Sequence, residues 1–359
     1  MMRIAIVGTR GIPAAYGGFE TLAERLALGL HALGHQVTVL GNSGSAHDRW
    51  QGIKRIPTRF QKQDHPVLFY LESLRLSRQG FDRVLVCGVG GAPFYSLYPM
   101  KEGVRITHVD GLEHLRDKFS SVKKWYVRKA QRLLCRSSAP VVSDSAAVTA
   151  YWREELEHKG LLRTIMYGAD IVTVADRSLL PESLVPGEYY LVVARPVPEN
   201  NLAMIARAWS DSGTPKHLVI VGSTGKEMLY DLLSQADRER ILFTGPVYDK
   251  MVLAALRFHA FAYLHGHSVG GTNPALVEAM ATAAICLCHD NPFNRETTAG
   301  AAIYFSSDKE LSSKLIELEQ QSAGQRQAAR LQMLQLAQER YSWERIVDQY
   351  LELFELAGR

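Results

Sequence analysis

This sequence lacks the features that define several large protein classes. No apolar run reaches the roughly 20 residues that a membrane-spanning helix needs, so we expect no segment that crosses a bilayer. The N-terminal stretch MMRIAIVGTRG breaks at a glycine after a short apolar run, which indicates a first β-strand and not a secretion signal. Low-complexity tracts and short-period repeats are missing as well. The composition is that of a soluble globular protein.

Cysteine is scarce, with four residues in the chain: Cys87, Cys135, Cys286 and Cys288. The last two are one residue apart, so in a strand they would point to opposite faces and would not form a redox pair. We therefore expect reduced thiols in a cytoplasmic protein.

Strand-like and helix-like segments alternate along the chain, which predicts parallel sheets with helices on both faces. The pattern restarts near Tyr189, after a segment, Asp176–Glu188, whose prolines and glycine are typical of a linker. Because 359 residues exceed one typical core, we expect an α/β protein of two doubly wound, Rossmann-like domains with a cleft between them. The predicted boundaries are 1–178 for the first domain, 188–340 for the second, and 341–359 for a C-terminal helix that packs back towards the first.

The small net charge of +4 hides an asymmetry. Residues 1–180 contain 25 Lys/Arg and 16 Asp/Glu, whereas the remainder contains 16 and 21. The basic first part favours an anionic surface or acceptor as its partner, and simple solvation of that part is the alternative.

Ligands of doubly wound sheets bind on the loops that follow the strands, so the functional residues are expected on those loops. The first loop, GTRGIPAAYGGFET, places Gly17 and Gly18 directly before a predicted helix, where free amides attract a phosphate. A nicotinamide-binding loop is disfavoured because the spacing is not G-x-G-x-x-G and no acidic residue follows the second predicted strand, Gln36–Leu40. A structural glycine turn is the other alternative.

A second loop, HGHSVGGTNPALVEAM, has the pattern of a helix start. Asn273 is the predicted cap and Pro274 the first helical residue, while Gly270 and Gly271 allow a ligand to approach the backbone closely. Glu278, on the second turn, can accept hydrogen bonds from two neighbouring sugar hydroxyls. Stabilisation of the helix dipole is the alternative role for this glutamate.

Two further loops carry charged side chains. In ARPVPENN, Arg195 follows a predicted strand and suits a phosphate, or it is an ordinary surface arginine. In THVDGLEHLR, Asp110 and Glu113 belong to a cluster of carboxylates and histidines that suits substrate binding or proton handling. His265 and His267 have no third ligand nearby in sequence, so we expect no metal site.

These motifs, together with YGAD, resemble those of retaining glycosyltransferases of family 4 with the GT-B fold, and the resemblance spans nearly the whole chain. Within that family the sequence looks like the bacterial rhamnosyltransferase-like branch whose first loop reads GGFET. The resemblance implies a donor nucleotide on the second domain, an acceptor on the first, no metal and no cofactor. It implies that Glu278 binds the ribose, that Arg195 binds the diphosphate and that Gly17 and Gly18 face the donor phosphates. It places Asp110 and Glu113 along the sugar and acceptor, with Arg195, Asp110 and Glu113 as the catalytic candidates. The candidate donor-binding residues are Gly17, Gly18, Arg195, Asn200, Gly270, Gly271, Thr272, Asn273 and Glu278.

Two departures from the broader family concern the donor. Gly270 stands where a glutamate usually contacts the donor sugar, and Asn200 stands where a lysine usually contacts the diphosphate. We therefore expect altered donor specificity, with loss of activity as the alternative. No Asp-x-Asp follows a strand, so the usual metal-diphosphate site of single-domain sugar transferases is missing.

The expected function is transfer of a sugar, with rhamnose from dTDP-rhamnose as the first candidate, in bacterial surface polysaccharide synthesis. The resemblance implies a saccharide or polyprenyl-diphosphate-linked acceptor, and nothing suggests a nucleic-acid partner. The basic, aromatic-bearing segment Lys118–Arg136 favours peripheral contact with the inner face of the plasma membrane, or it is a solvated helix. A sugar-nucleotide epimerase and a non-catalytic subunit of a glycan-assembly complex are the alternative functions.

Overall fold

The structure is a computed structural model that describes residues 1–14, 17–41, 49–78, 80–101, 103–109, 111, 120–223, 229–269 and 271–358. The chain divides into two compact units, Met1–Gly168 with Trp343–Arg359, and Ala169–Ser342. Each unit is an α/β sheet structure, so the prediction of two doubly wound α/β domains is confirmed. Within these ranges, no helix combines the length and the apolar character that crossing a bilayer would require.

The sheet of the first unit has, in the described part of the chain, strand order β3-β4-β2-β1-β5-β6-β7-β8, with β3 antiparallel to β4 and the other pairs parallel. Its strands are β1 (Arg3–Val7), β2 (Gln36–Gly41), β3 (Arg49–Trp50), β4 (Ile53–Pro57), β5 (Arg83–Cys87), β6 (Arg105–His108), β7 (Val141–Ser143) and β8 (Leu162–Thr164).

Helices cover both faces of this sheet. Along β1, Ile4 and Ile6 belong to one buried cluster, while Ala5 and Val7 belong to another on the opposite face. This alternation follows from the two-residue period of a strand, and both faces are apolar because both are covered. The helices are α1 (Gly18–Ala32), α2 (Pro66–Leu76), α3 (Ser121–Arg136), α4 (Ala146–Glu154) and, from the end of the chain, α12 (Trp343–Leu356).

The second unit is a parallel sheet of order β11-β10-β9-β12-β13-β14. Its strands are β9 (Tyr189–Val193), β10 (His217–Val221), β11 (Ile241–Gly245), β12 (Ala262–His265), β13 (Cys286–His289) and β14 (Ile303–Phe305). Its helices are α5 (Leu202–Asp211), α6 (Gln235–Arg240), α7 (Lys250–Phe258), α8 (Pro274–Ala281), α9 (Pro292–Thr297), α10 (Asp308–Gln320) and α11 (Ala323–Tyr341). The carboxyl ends of β9, β12 and β13 are neighbours in this order, which brings the loops that follow them together.

The units divide at Gly168 and Ala169, upstream of the segment Asp176–Glu188 that has a linker-like composition. That segment packs on the second unit, because Leu180 and Leu184 are buried and the Gly187 N–H donates to the carbonyl of His259. The prolines and the glycine of this segment therefore belong to a surface loop of the second unit.

Candidate active site

The start of α8 has the predicted capped geometry. The Asn273 side-chain oxygen accepts a hydrogen bond from the Ala275 N–H at 3.0 Å, and Pro274 is the first helical residue. The Asn273 carbonyl accepts from the Leu276 N–H, also at 3.0 Å. These first helical amides are therefore already bonded. Backbone donors for an anion would have to come from the loop before the helix.

That loop contains the other predicted phosphate-binding residues. Gly271 and Thr272 are both buried, and Thr272 is 4% exposed. Gly270, which stands where the broader family has a glutamate, lies outside the described residues.

Glu278 forms an ion pair that sequence reasoning missed. Its Oε2 lies 2.5 Å from Nη2 of Arg257 on α7. The arginine side chain is 5% exposed and the glutamate side chain is 40% exposed. An arginine in the last turn of a helix is common, because a cation there favours the helix dipole, so the sequence carried no signal that this one is buried.

Arg195 and Asn200 lie on the loop after β9 in different surroundings. Arg195 is exposed, whereas Asn200 is 9% exposed. The Asn200 side-chain amide donates to the Arg195 carbonyl at 2.8 Å, and its oxygen lies 2.9 Å from Nδ1 of His267. Asn200 therefore connects two loops, and its contact with a ligand stays a prediction.

Further bonds fix the loop after β9 to the loop after β12. Ser268 donates its N–H and its hydroxyl to the Glu199 carbonyl, at 2.9 and 3.1 Å. The Asn201 side chain donates to the Gly266 carbonyl at 2.8 Å. A Cβ on Gly266 would lie 2.2 Å from the Asn200 carbonyl oxygen, so the two backbones approach too closely for any side chain there. These hydrogen bonds join the two loops into one surface.

The loop after β13 joins the same arrangement. Asn291 and Asn294 each donate from their side-chain amides to the carbonyls of His267 and His289, at 2.8 to 3.1 Å. Sequence reasoning missed both asparagines because they bind backbone carbonyls, and that of His267 is distant in sequence.

His265 lies buried at the end of β12, stacked on the ring of Tyr263 at 5.9 Å. Burial, with smaller effects from His267 and His289, lowers the pKa of His265 to about 3, so this imidazole is neutral at physiological pH. In the described part of the chain, no three His, Cys, Asp or Glu side chains are grouped to hold a metal ion.

In the first unit, two carboxylates of α1 hold the first loop. Glu20 Oε1 accepts from the Arg10 N–H at 2.8 Å, and Glu24 Oε2 accepts from the Ala14 N–H at 2.6 Å. Both glutamates are 7% exposed. The glutamate of the GGFET motif therefore orders the loop. A carboxylate that accepts from a backbone amide forms a strong, charge-assisted bond.

Gly17 and Gly18 differ in what their backbone requires. Gly17 has a φ of 105°, and a Cβ there would lie 2.5 Å from Glu20 Oε2. A Cβ on Gly18 would only touch the ring of Tyr167 at 3.4 Å. The fold therefore requires glycine at the first position and tolerates a small side chain at the second.

The remaining predicted cluster is described only in part. His108 ends β6 and is 1% exposed, with its ring centroid 5.1 Å from that of Phe19 and 6.0 Å from that of Tyr167. It belongs to the core of the first unit. Asp110 and Glu113, the predicted acceptor-side carboxylates, lie outside the described residues, as does Lys118.

Comparison with known proteins identifies the fold. No protein-family model and no curated protein sequence matches the chain. Solved structures do match. Sucrose-phosphate synthase from Thermosynechococcus elongatus has a TM-score of 0.80 at 15% identity, over 99% of both chains. A UDP-forming α,α-trehalose-phosphate synthase from Burkholderia xenovorans has a TM-score of 0.76 at 12% identity, over all of both chains. HepE from Anabaena, in complex with UDP, has a TM-score of 0.73 at 14% identity, over 99% of this chain and all of the HepE chain.

The chain has the GT-B fold. The matched structures are glycosyltransferases of two Rossmann-like domains, which confirms the predicted fold class. Identities of 12–15% show the fold alone, so the rhamnosyltransferase-like branch of family 4 stays a prediction.

Proposed function

We propose that this protein is a retaining glycosyltransferase that moves a sugar from a nucleotide sugar to a saccharide or polyprenyl-diphosphate-linked acceptor. The donor that we propose is dTDP-rhamnose, and the process is bacterial surface polysaccharide synthesis. The observation that carries the proposal is the hydrogen-bonded surface formed by the loops after β9, β12 and β13, beside a capped helix that bears the partly exposed carboxylate of Glu278. The fold supports it, because matched structures include a UDP-forming synthase and a protein in complex with UDP.

Each candidate residue then has a role. Glu278 accepts a hydrogen bond from the sugar ring of the donor nucleotide, which in dTDP-rhamnose is a deoxyribose, and Arg195 pairs with the diphosphate. The amides of Gly271 and Thr272 donate to the same diphosphate, because the amides of α8 itself are occupied. In the first unit, the Gly17-Gly18 backbone approaches the donor phosphates. Asn200, Gly270, Asn273, Asp110 and Glu113 complete the proposed donor and acceptor contacts.

The chemistry requires stabilisation of a leaving diphosphate. As the sugar–phosphate bond breaks, the acceptor oxygen bonds to the same face of the sugar, and the acceptor proton passes to an oxygen of the leaving phosphate. Charge grows on that phosphate, so the Arg195 guanidinium and fixed amide donors would stabilise the transition state. In this proposal no metal is needed, because protein donors supply the positive charge.

We also propose that α3 contacts the inner face of the plasma membrane and places the enzyme in the cytoplasm beside a lipid-linked acceptor. The helix contains six basic residues and no acidic one. Val122 is 76% exposed and Trp125 60% exposed, and the Lys129 ammonium lies 5.0 Å from the centre of the Trp125 ring. Val127 and Leu134 on the opposite face are buried. Exposed aromatic and apolar groups among cations suit the headgroup region of an anionic membrane.

Incubation with donor tests the reaction class. A thermal-shift screen of nucleotide sugars first identifies the donor that stabilises the protein. That donor is then incubated alone, and with polyprenyl-diphosphate-linked saccharides as acceptors. A transferase forms a glycosylated acceptor and releases the nucleoside diphosphate.

The two alternatives give different results in the same assay. A sugar-nucleotide epimerase converts the donor into a new nucleotide sugar without any acceptor. A non-catalytic subunit binds no donor or binds it weakly. Either result would contradict the proposal.

A further inference from the structure

The ion pair between Arg257 and Glu278 constrains what the glutamate can bind. The Arg257 side chain is 5% exposed, and a guanidinium so deeply buried requires a partner of opposite charge. Glu278 is the carboxylate that the structure pairs with it, through Oε2 and Nη2 at 2.5 Å. One oxygen of Glu278 is therefore committed to the protein.

The closest contact joins one nitrogen to one oxygen, and it is not the two-pronged contact in which arginine uses Nε together with a terminal nitrogen. The Arg257 Nε is buried and has no hydrogen-bond partner among the described residues. In the same part of the chain, Glu278 Oε1 accepts no hydrogen bond, Glu278 pairs with no residue other than Arg257, and its side chain is 40% exposed. The carboxylate is thus divided into one oxygen held by the protein and one that remains for a ligand.

A carboxylate that receives two neighbouring hydroxyls commonly uses both of its oxygens. With Oε2 held by Arg257, Glu278 is suited to one hydroxyl. A ribonucleotide offers two hydroxyls on its sugar ring, whereas a 2′-deoxyribonucleotide offers the 3′-hydroxyl alone.

We infer that Arg257 is a positioning residue that fixes Glu278 to accept from the 3′-hydroxyl alone, so that the site takes 2′-deoxyribonucleoside diphosphates as well as ribonucleoside diphosphates. The inference rests on the proposed function, since it places a nucleotide at Glu278. It goes further, because it assigns a role to Arg257 and predicts which hydroxyl of the nucleotide is dispensable.

Titration calorimetry of the full chain with nucleotides that differ by one hydroxyl tests the inference. The probes are the ribo, 2′-deoxy and 2′,3′-dideoxy forms of the uracil, thymine, guanine and adenine nucleoside diphosphates, so that thymine, the base of the proposed donor, is tested with the others. For the base that binds, wild-type protein should bind the ribo and 2′-deoxy forms within about twofold of each other. Loss of the 3′-hydroxyl should weaken binding about tenfold or more, as expected for a hydrogen bond to a charged acceptor.

Two substitutions of Arg257 separate positioning from structural support. Arg257→Met removes the cation and keeps an apolar side chain of similar length, and it leaves the partly exposed Glu278 without a buried partner. Since this releases Oε2, the variant should bind the ribo form about fivefold or more tightly than the 2′-deoxy form. Arg257→Lys restores a cation and should return the ratio of the ribo affinity to the 2′-deoxy affinity towards one. Circular dichroism and thermal unfolding establish that each variant is folded.

A wild-type protein that binds the 2′-deoxy form tenfold more weakly than the ribo form would overturn the inference. An Arg257→Met ratio equal to that of wild type would overturn it as well. Either result leaves the proposed glycosyltransferase reaction standing, although the first would also count against dTDP-rhamnose as the donor. If wild-type protein binds no nucleoside diphosphate of any series, the proposed function fails and the inference fails with it.

Discussion

Gly17 and Gly18 of the first loop are adjacent, but the structure requires only one of them to be glycine. At Gly17 the φ of 105° and the nearby Glu20 carboxylate oxygen exclude a side chain. At Gly18 a methyl group fits against Tyr167. A glycine that the fold does not require suggests that a ligand requires it.

We predict that Gly18→Ala folds as stably as wild type but loses at least about tenfold in turnover, because the methyl group blocks close approach of the donor phosphate. Gly17→Ala is the comparison for stability, and it should lose roughly 1–3 kcal/mol of stability from backbone strain. Thermal unfolding and turnover are measured on both variants. If Gly18→Ala turns over the donor at the wild-type rate, the first loop is not part of the donor site.

The free energy of unfolding should depend on pH because of His265. Its pKa is lowered to about 3 in the folded chain, whereas an unfolded chain has the ordinary value of 6.5. Below pH 6.5 the unfolded chain therefore binds a proton that the folded chain does not, and stability falls as pH falls towards 3.

We predict a shallower loss of stability between pH 7 and pH 5 in His265→Gln than in wild type, by up to about 1.4 kcal/mol per pH unit. Denaturant unfolding at several pH values measures the slope. His31→Gln, at an exposed position, is the control. Identical slopes for wild type and His265→Gln would show that another group causes the dependence.

At the scale of elements, the sequence predicted the strands whose apolar residues are continuous. The predicted strand Gln36–Leu40 is β2 in the structure, where it extends one residue further, to Gly41. The missed strands include β4, where charged Lys54 and Arg55 interrupt the apolar pattern, and the three-residue strands β8 and β14. Strands so short carry too little periodicity to be recognised.

The candidate site was predictable where local chemistry sets the geometry. The cap by Asn273 follows from the Asn-Pro pair, so its position was predicted from sequence. The ion pair of Glu278 with Arg257, and the bonds of Asn291 and Asn294 to His267, join residues that are distant in sequence or bind backbone atoms. Such contacts depend on how the strands are ordered, which a single sequence does not reveal.

The helix α3 should bind anionic membranes through its exposed basic face. Reversing Arg128 and Lys129 to glutamate should weaken binding to anionic vesicles at least about tenfold, since each cation near such a surface contributes about 1 kcal/mol. Reversing Lys309 and Lys314, on α10 of the second unit, is the matched control and should have little effect. Co-sedimentation with vesicles at two salt concentrations measures both variants. If wild-type protein does not sediment with vesicles at low salt, the membrane contact is refuted.

The helix α12 is part of the core of the first unit, although it ends the chain. Phe354 is fully buried, whereas Glu352 on the same helix is exposed. We predict that Phe354→Ala lowers the free energy of unfolding by roughly 3–5 kcal/mol. Glu352→Ala should change it by less than about 0.5 kcal/mol. Denaturant unfolding monitored by circular dichroism compares them, and equal stabilities would contradict this packing.

At the scale of the whole molecule, the first part of the chain and the second unit differ in charge and in their proposed tasks. Residues 1–180 carry a net charge of +9 from 25 basic and 16 acidic residues, and the remainder carries −5 from 16 and 21. A basic first part suits an anionic acceptor or membrane. The second unit presents the proposed nucleotide site, so nucleotide binding should not depend on the basic residues of α3.

The central claim is that the second unit binds a nucleoside diphosphate through Glu278. Alanine at this position would leave Arg257 buried without a partner, which destabilises a fold strongly, so glutamine is the better substitution. Its side-chain oxygen can still accept from Arg257, while the negative charge offered to the ribose is lost. Glu317→Gln, on the surface of α10, provides a control of identical chemistry.

Titration calorimetry with UDP, dTDP, GDP and ADP is the most direct test of this claim. We predict that wild-type protein binds at least one of them at one site per chain. Glu278→Gln should weaken that binding about tenfold, because the amide nitrogen that then faces the sugar hydroxyl cannot accept its hydrogen bond, and Glu317→Gln should leave it unchanged. A wild-type protein that binds none of the four, or a Glu278→Gln variant that binds as tightly as wild type, would contradict the claim.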